Sequence, residues 1–423
     1  MKTTAVRLYG ANDLRLEEFD LPEIADDEIL VRIISDSICM STYKLLKQGP
    51  KHKRCPDDVA THPIIIGHEF AGDIVKVGKA WRGEFTPGER FAQQPALNYK
   101  GSMASPGYSY PYYGGSCTYC VLPRETMELG CLLHYNGDSY FEASLGEPMS
   151  CIIGGYHANY HTNKVNYEHA MGIKKGGNIL ILGGCGPMGL GAVEYPLAIA
   201  DKPGRIVVTD VDNARIARAR RMVPPASASA VGVELTYVNA AEIEDQYAYL
   251  MSLTDGHGYD DVFVFAPVVE LAALGNRLLA FDGCMNFFAG PTDASFSAPI
   301  NLYDCHYSAT HIMGTTGGNT DDLKEGLALA ETGQTHPAVM ITHIGGIDAI
   351  ADTVAALPTI PGGKKLMYTQ FNLPLTAIDD FEKLGRTDSF YAGLHELVED
   401  HNGMWNAAAE KALLDHFGVG PVQ

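Results

Sequence analysis

The sequence predicts an α/β protein in which a doubly wound parallel sheet is inserted into a β-rich, barrel-like domain. Up to about residue 150, short strand-like segments such as AVRLYG, ILVRIIS and AGDIVKVG alternate with turns rich in Pro and Gly, which is typical of antiparallel β domains. From about residue 177, short apolar runs such as NILILG, RIVVTD and DVFVFA alternate with helix-like segments. Continuous apolar strands separated by helices indicate a parallel sheet that is covered on both faces.

The domain boundaries follow from these changes of pattern, and 423 residues are enough for two or three domains. We predict a β-rich domain over residues 1–155, an α/β domain over 156–314, and a mostly helical return to the first domain with a helical tail over 315–423. Within the α/β domain, the pattern predicts helices over 213–222 and 268–281 and a loop over the small-residue stretch 224–233.

Composition and charge exclude several classes of protein. The 31 Lys and Arg against 51 Asp and Glu give a formal charge of −20, whereas a duplex-binding surface needs clustered cations. No apolar run approaches the ~18 residues of a membrane helix, and the start MKTTAVRLYG lacks the hydrophobic core of a secretion signal. The nine scattered cysteines favour a reducing compartment, with thiols free or bound to metal. We therefore expect a cytoplasmic protein with neither a nucleic-acid nor a membrane partner.

A glycine-rich turn joins the first apolar strand of the α/β domain to the helix that follows. The segment Gly184-Cys185-Gly186-Pro187-Met188-Gly189 matches G-x-G-x-x-G, whose glycines allow a tight turn, close approach of a pyrophosphate and close helix packing. Asp210 ends the next strand, 21 residues after Gly189, where a carboxylate accepts the ribose hydroxyls. The pattern predicts a dinucleotide site. Asp210 would repel a 2′-phosphate, which favours NAD(H), while the nearby Arg215 keeps NADP(H) as the second choice.

The β-rich domain contains candidate ligands for a metal. A catalytic zinc needs about three N, S or O ligands and an open position, and the candidates are Cys39 after a strand, His68 and Glu69 in IIIGHEF, and Glu147 in LGEPMSC. Each of these residues taken alone is also typical of a buried thiol or a hydrogen-bonded polar group. Spacing alone therefore leaves both interpretations open.

The order of four motifs resembles that of the zinc-dependent medium-chain alcohol and polyol dehydrogenases. The motifs are Cys39-x-Ser41, Gly67-His68-Glu69, Glu147-Pro148 and the glycine-rich turn, and the resemblance extends to about residue 368. It implies a GroES-like catalytic domain, a Rossmann-type NAD(H) domain and a homo-oligomer, dimer or tetramer. It also implies one catalytic zinc held by Cys39, His68 and Glu147, with Glu69 able to swing in as a catalytic or ligating carboxylate. Ser41 matches the hydroxyl that passes the substrate proton toward solvent.

Two departures from the family pattern affect these expectations. Met40 replaces the commoner glycine after the ligand cysteine, which should alter the pocket wall without removing a ligand. The four closely spaced cysteines of a structural zinc are missing, and only Cys117 and Cys120 form a C-x-x-C. A strand places residues three apart on opposite faces, so we predict no structural zinc.

A basic segment follows Ser41 closely. Five of the 31 cations fall within eleven residues, and they are Lys44, Lys47, Lys51, Lys53 and Arg54. A segment of this kind is often only a solvated loop. Its place beside the predicted site nevertheless favours a receptor for a substrate phosphate, with Lys44 and Arg54 as the contacts.

Other residues in the sequence are less informative. His157 and His161 are four apart and could share a helix face, with His157 the candidate substrate contact. The aromatic run 108–113 (YSYPYY) predicts a loop that packs on itself or on a partner subunit.

The leading hypothesis is a zinc-dependent oxidoreductase that reduces a ketose phosphate with NAD(P)H. The motif variants resemble the sugar-phosphate branch of the family, which implies a small-molecule substrate of the L-sorbose 1-phosphate type. One alternative is a polyol dehydrogenase acting on unphosphorylated sugar alcohols, which would leave the basic segment without a role. Another is a non-catalytic dinucleotide-binding relative, which would have no reason to keep the ligand set.

Overall fold

A computed structural model describes residues 1–163 and 165–422, and the chain divides into two compact units. The β-rich unit comprises Met1–Glu147, Leu323–Gly333 and Ile341–Gln423, and the α/β unit comprises Pro148–Asp322 and Gln334–Met340. The β-rich unit is therefore built from both ends of the chain. In the part of the chain that is described, no helix is both long enough and apolar enough to span a membrane.

The secondary structure of the described residues is mixed. The strands are β1 Lys2–Gly10, β2 Asp13–Asp20, β3 Ile29–Ser37, β4 Ile64–Ile65, β5 Phe70–Val77, β6 Arg90–Gln93, β7 Tyr119–Leu122, β8 Leu132–His134, β9 Tyr160–Asn163, β10 Glu168–Met171, β11 Asn178–Leu182, β12 Arg205–Asp210, β13 Glu234–Asn239, β14 Tyr259–Val264, β15 Leu279–Phe287, β16 His311–Met313, β17 Ile341–Gly346, β18 Lys364–Tyr368 and β19 Thr376–Ala377. The α-helices are α1 Met40–Gln48, α2 Arg124–Glu128, α3 Tyr140–Ala158, α4 Pro187–Ala198, α5 Asn213–Met222, α6 Pro225–Ala230, α7 Gln246–Ser252, α8 Val269–Arg277, α9 Leu302–Tyr307, α10 Thr320–Glu331, α11 Ile350–Ala356, α12 Phe381–Gly385, α13 Ser389–Glu399 and α14 Ala407–His416.

Strand β3 lies at the centre of the main sheet of the β-rich unit. The sheet order is β19-β17-β18-β3-β5-β6-β8, with β7 also paired to β3, and all but one of the β3 residues are buried. Its apolar side chains join a core that includes Phe70 and Phe91. Strands β17 and β18 come from the region predicted to be mostly helical, and they are strands because pairing within this sheet buries most of their residues.

The α/β unit contains a six-stranded parallel sheet in the order β13-β12-β11-β14-β15-β16. Numbered along the chain within this sheet alone, this is the order 3-2-1-4-5-6 of a doubly wound dinucleotide-binding fold. The fold class predicted from the sequence is therefore confirmed. Two local predictions are wrong. Residues 225–230, predicted to lie in a loop, form α6, which begins with a proline suited to a first turn. The helix predicted to reach residue 281 ends at Arg277, because Leu279 already pairs with β14.

Helix α3 carries Glu147, and its first turn is capped by a carboxylate from the C-terminal tail. Glu410, on α14, accepts hydrogen bonds from the backbone N–H groups of Tyr140 at 2.6 Å and Phe141 at 2.9 Å. Its Oε1 also accepts from the Tyr368 hydroxyl at 2.8 Å. A carboxylate at a helix N-terminus satisfies N–H groups that have no partner within the helix. Glu410 therefore joins the tail to α3 and to β18.

Replacing Glu410 with alanine is expected to lower the free energy of unfolding by about 2–5 kcal/mol, because it leaves buried donors without acceptors. The matched control is Asp415→Ala on the same helix, which removes only an exposed ion pair with Lys411 and should change stability by at most about 0.5 kcal/mol. Urea unfolding of both variants measures the difference. Equal stabilities would show that the cap is energetically unimportant.

Candidate active site

Three predicted metal ligands come together in the β-rich unit. Cys39 directly precedes α1, and His68 and Glu69 directly precede β5. One ligand atom from each of Cys39, His68 and Glu69 lies within 4.8 Å of the others, and among the described residues these three form the group that could hold a metal ion. Gly67 precedes His68 and Glu69 with a left-handed backbone: its φ is +87°, and a Cβ there would lie 2.1 Å from the Asp36 carboxylate.

The chemistry of these donors fits a zinc ion. His68 Nδ1 is buried without a hydrogen-bond partner. Burial raises the pKa of the Cys39 thiol, and burial followed by the charge of Glu69 raises the pKa of Glu147 to about 7. A bound divalent cation would offset the cost of ionising these groups, and sulfur, imidazole and carboxylate are the ligands of catalytic zinc.

Glu147 lies beside the three-residue group without being part of it. It is partly buried in α3, and Glu69, His68 and Cys39 all affect its pKa. The β-rich unit therefore brings all four predicted ligand residues into one neighbourhood.

The Glu69 carboxylate is already held by other side chains. Lys364 Nζ donates to Glu69 Oε1 at 2.6 Å and also to Oε2, and the Ser37 hydroxyl donates to Oε2. Both members of the ion pair are almost completely buried, with side chains 5% and 1% exposed. The positive charge of Lys364 keeps the pKa of Glu69 low against the opposing effect of burial. Sequence reasoning missed Lys364, because the two residues are 295 positions apart.

Ser41 and Tyr108 lie next to His68. Ser41 Oγ is 3.3 Å from His68 Nε2, and the Tyr108 hydroxyl donates to Ser41 Oγ at 2.7 Å. The same hydroxyl is 3.4 Å from His68 Nε2, and the Tyr108 side chain is buried. Sequence reasoning assigned Tyr108 only to a packing loop, and nothing in the aromatic run distinguishes it from its neighbours.

Arg54 lies beside Tyr108, and the lysines of the basic segment differ in their exposure. The Arg54 guanidinium lies 5.2 Å from the centre of the Tyr108 ring, and Arg54 Nε is buried without a partner. Lys44 is half-buried in α1, whereas Lys47, Lys51 and Lys53 are exposed. Lys47 donates to the Asn12 side chain at 2.8 Å.

His52 adds a further polar group to this region. Its ring stacks on Tyr108, with centroids 5.5 Å apart and planes 15° apart. Burial, followed by the charges of Arg54, Lys53 and Lys44, lowers the pKa of His52 to about 4. A neutral imidazole at physiological pH can donate a hydrogen bond to an anion without a charge of its own.

In the α/β unit the glycine-rich turn has little room for side chains at two of its three glycines. A Cβ on Gly184 would meet the Ile181 side chain at 2.6 Å, and one on Gly189 would meet the Gly184 carbonyl oxygen at 2.3 Å. Gly186 faces open space, which leaves its backbone accessible. Pro187 and Met188 begin α4, so the positive end of the helix dipole lies at the turn.

Asp210 is tied to this turn by hydrogen bonds. Its Oδ2 accepts from Cys185 N at 3.1 Å, and its Oδ1 accepts from Val211 N at 2.8 Å. The carboxylate at the end of β12 therefore lies next to the loop that would hold the pyrophosphate. A cofactor role for these residues stays a prediction.

Replacing Asp210 with asparagine is expected to weaken NADH binding and to raise the relative use of NADPH. The amide oxygen can still accept from Cys185 N, but the charge that favours ribose hydroxyls and repels a 2′-phosphate is gone. Loss of a charge-assisted bond of about 1.5–3 kcal/mol corresponds to about a tenfold to hundredfold rise in KM for NADH. Steady-state kinetics with both coenzymes measures this change, and a strong preference of the wild type for NADPH would contradict the role of Asp210.

His157 and His161 do not share a helix face, and that expectation is wrong. His157 is in the last turn of α3, and its Nδ1 lies 2.7 Å from Asp322 Oδ1. His161 is in β9, with its Nε2 3.3 Å from Asp261. The chain leaves the helix after Ala158 and enters a strand. Contact of His157 with substrate stays a prediction.

Cys117 and Cys120 also differ from expectation. Both side chains are completely buried in the same hydrophobic core, and the Cys117 thiol donates to the Gly114 carbonyl at 3.2 Å. Cys117 precedes β7, so strand alternation does not apply to the pair. The argument from opposite faces is therefore wrong, and the two thiols behave as small core residues.

Comparison with known proteins gives the family. The family model described as the alcohol dehydrogenase GroES-like domain matches residues 25–134. The chain is 49% identical over 418 residues to mannitol-1-phosphate 5-dehydrogenase of Aliivibrio fischeri, covering 99% of both chains. It is 47% identical over 414 residues to L-sorbose 1-phosphate reductase of Klebsiella pneumoniae, covering 98% of both. Among solved structures, 2R,3R-butanediol dehydrogenase from Bacillus subtilis matches with a TM-score of 0.69 and 21% identity, over 86% of this chain and 99% of that chain.

The chain belongs to the zinc-dependent medium-chain alcohol and polyol dehydrogenase family and is an oxidoreductase. The resemblance inferred from the motif order is confirmed, and the structural match supports the same fold. Membership of this family supports zinc and a nicotinamide dinucleotide as cofactors.

Proposed function

We propose that this enzyme interconverts a ketose phosphate and the corresponding polyol phosphate, with NAD(H) as the hydride carrier. The observation that carries the substrate class is the position of the cationic Arg54 and the neutral His52. Arg54 and His52 contact the ring of Tyr108, whose hydroxyl donates to Ser41. A substrate that carries a phosphate at one end and a carbonyl further along would match this arrangement. The two relatives are named for reactions of mannitol 1-phosphate and L-sorbose 1-phosphate, which supports the same substrate class.

We assign the zinc to Cys39, His68 and Glu147. Glu69 already forms an ion pair with Lys364. We therefore propose that Glu69 is not a zinc ligand but a neighbouring carboxylate that contributes negative charge to the site. Three protein ligands leave a fourth position open for substrate. A zinc ion held there would supply Lewis acidity toward the substrate carbonyl.

Ser41 is proposed to pass a proton to the oxygen that becomes the product alcohol. Its Oγ accepts the hydrogen bond from Tyr108, so its own proton is available for donation. The glycine-rich turn and Asp210 would hold the dinucleotide through its pyrophosphate and ribose. The role of the chain is thus to orient substrate and cofactor and to transfer one proton.

The test is a substrate panel with the purified enzyme. Zinc is measured by elemental analysis, and oxidation of NADH and NADPH is followed with L-sorbose 1-phosphate and D-fructose 6-phosphate, and with the free sugars L-sorbose and D-fructose. We expect about one zinc per proposed site and turnover concentrated on a phosphorylated sugar. Equal turnover of free sugars would identify a polyol dehydrogenase instead. Binding of NADH without turnover of any sugar would indicate a non-catalytic relative.

A further inference from the structure

The side chain of Tyr108 touches two functional regions at once. One end of it, the hydroxyl, contacts Ser41 at 2.7 Å and His68 at 3.4 Å. The ring stacks on His52 and lies 5.2 Å from the Arg54 guanidinium. The side chain is 3% exposed, so its position is set by these neighbours.

The loop that carries Tyr108 is held by a hydrogen bond to the basic segment and by one within the loop. The Ser109 hydroxyl donates to the Arg54 carbonyl oxygen at 2.7 Å, and Tyr108 N donates to the Ser105 carbonyl at 3.2 Å. Arg54 Nε is buried and has no partner, which is costly unless a ligand supplies an acceptor. An anion that binds Arg54 would therefore fix the guanidinium against one side of the Tyr108 ring.

We propose that a phosphate dianion bound beside Arg54 and His52 activates the reduction step as well as anchoring the substrate, because it fixes Tyr108 and through it Ser41. The proposal rests on the proposed function and deepens it. Binding energy from a part of the substrate that does not react can increase turnover when it orients the groups that do react. Tyr108 is then a positioning residue, because it acts through Ser41.

The experiment separates the phosphate from the sugar. The zinc-loaded wild-type enzyme reduces free L-sorbose or D-fructose with NADH in the presence of increasing inorganic phosphite dianion. We expect phosphite to raise kcat/KM for the free ketose by about tenfold or more, with saturation. Phosphite should also inhibit reduction of the phosphorylated ketose competitively, which measures its binding independently of activation.

Two variants test whether activation by phosphite depends on the Tyr108 hydroxyl. Tyr108→Phe removes only the hydroxyl, and it should still bind phosphite but lose the activation. Tyr110→Phe is the matched control from the same aromatic run, since its hydroxyl donates instead to Glu125 at 2.8 Å; it should keep the full activation. Zinc content and melting temperature of both variants are measured to show that each is folded and loaded.

The outcomes distinguish this inference from the function on which it rests. A wild type that prefers the phosphorylated ketose strongly, yet is not activated by phosphite at concentrations that inhibit, overturns the inference and leaves the proposed function standing. Full activation in Tyr108→Phe also overturns it. Absence of any preference for the phosphorylated ketose instead contradicts the proposed function itself.

Discussion

Replacing Cys39 or His68 with alanine is expected to remove the bound metal and nearly all turnover while the fold survives. Three protein ligands are barely sufficient for a catalytic zinc, so the loss of one should empty the site. Lewis-acid stabilisation contributes several kcal/mol, and about 4 kcal/mol corresponds to about a thousandfold loss of kcat. Elemental analysis and NADH oxidation measure the two effects.

Cys55→Ala is the matched control for the cysteine variant. Cys55 is a partly buried free thiol that lies outside the group formed by Cys39, His68 and Glu69. This variant should keep its zinc and its turnover. Circular dichroism and melting temperature show whether each variant is folded. Zinc retention together with near-normal turnover in Cys39→Ala would rule out the assigned site.

The second large effect concerns the substrate phosphate. Replacing Arg54 with alanine is expected to reduce kcat/KM for the phosphorylated ketose by about tenfold to hundredfold, because one charge-assisted contact contributes about 1.5–3 kcal/mol. Activity on the free ketose and zinc content should change little by comparison. Lys44→Ala should act in the same direction. Raised ionic strength should also slow capture of the phosphorylated substrate, because salt screens the attraction.

Lys47→Ala serves as the control within the same basic segment. Lys47 is exposed and donates to Asn12, so its loss should leave the ratio of phosphorylated to free substrate unchanged. If Arg54→Ala and Lys44→Ala also leave that ratio unchanged, the segment is a solvated loop. Kinetics with both substrates at two salt concentrations decides between these interpretations.

Much of the fold could be predicted because strand and helix periodicity act locally. The apolar runs of β11, β12 and β14 are buried strands of one sheet, and the helix predicted over 213–222 is confirmed as α5. The errors arose where tertiary pairing overrode local pattern. Residues 279–281 continue a helical pattern in sequence, but they begin β15, in which Leu279 pairs in parallel with Tyr259 of β14. Strands β17 and β18 are short; they pair with each other, and β18 also pairs with β3 from the other end of the chain.

The site residues that lie within short motifs could be predicted from the sequence. The residues that reach the site from distant positions in the sequence could not. Cys39, His68 and Glu69 lie within short motifs, and the structure brings them together. Lys364 pairs with Glu69 across 295 positions of the sequence, and only the folded sheet places them in contact. Tyr108 lies in a run of similar aromatic residues, so its contacts with Ser41 and Arg54 depend on the conformation of its loop.

The most direct test of the proposed function is the ratio of kcat/KM for a phosphorylated ketose to that for the same ketose without phosphate. It is measured with the zinc-loaded wild-type enzyme and NADH at low ionic strength. Two charge-assisted contacts with the phosphate predict a ratio of about a hundred or more. A ratio near one, with both substrates turned over, would contradict the assignment of this enzyme to sugar phosphates.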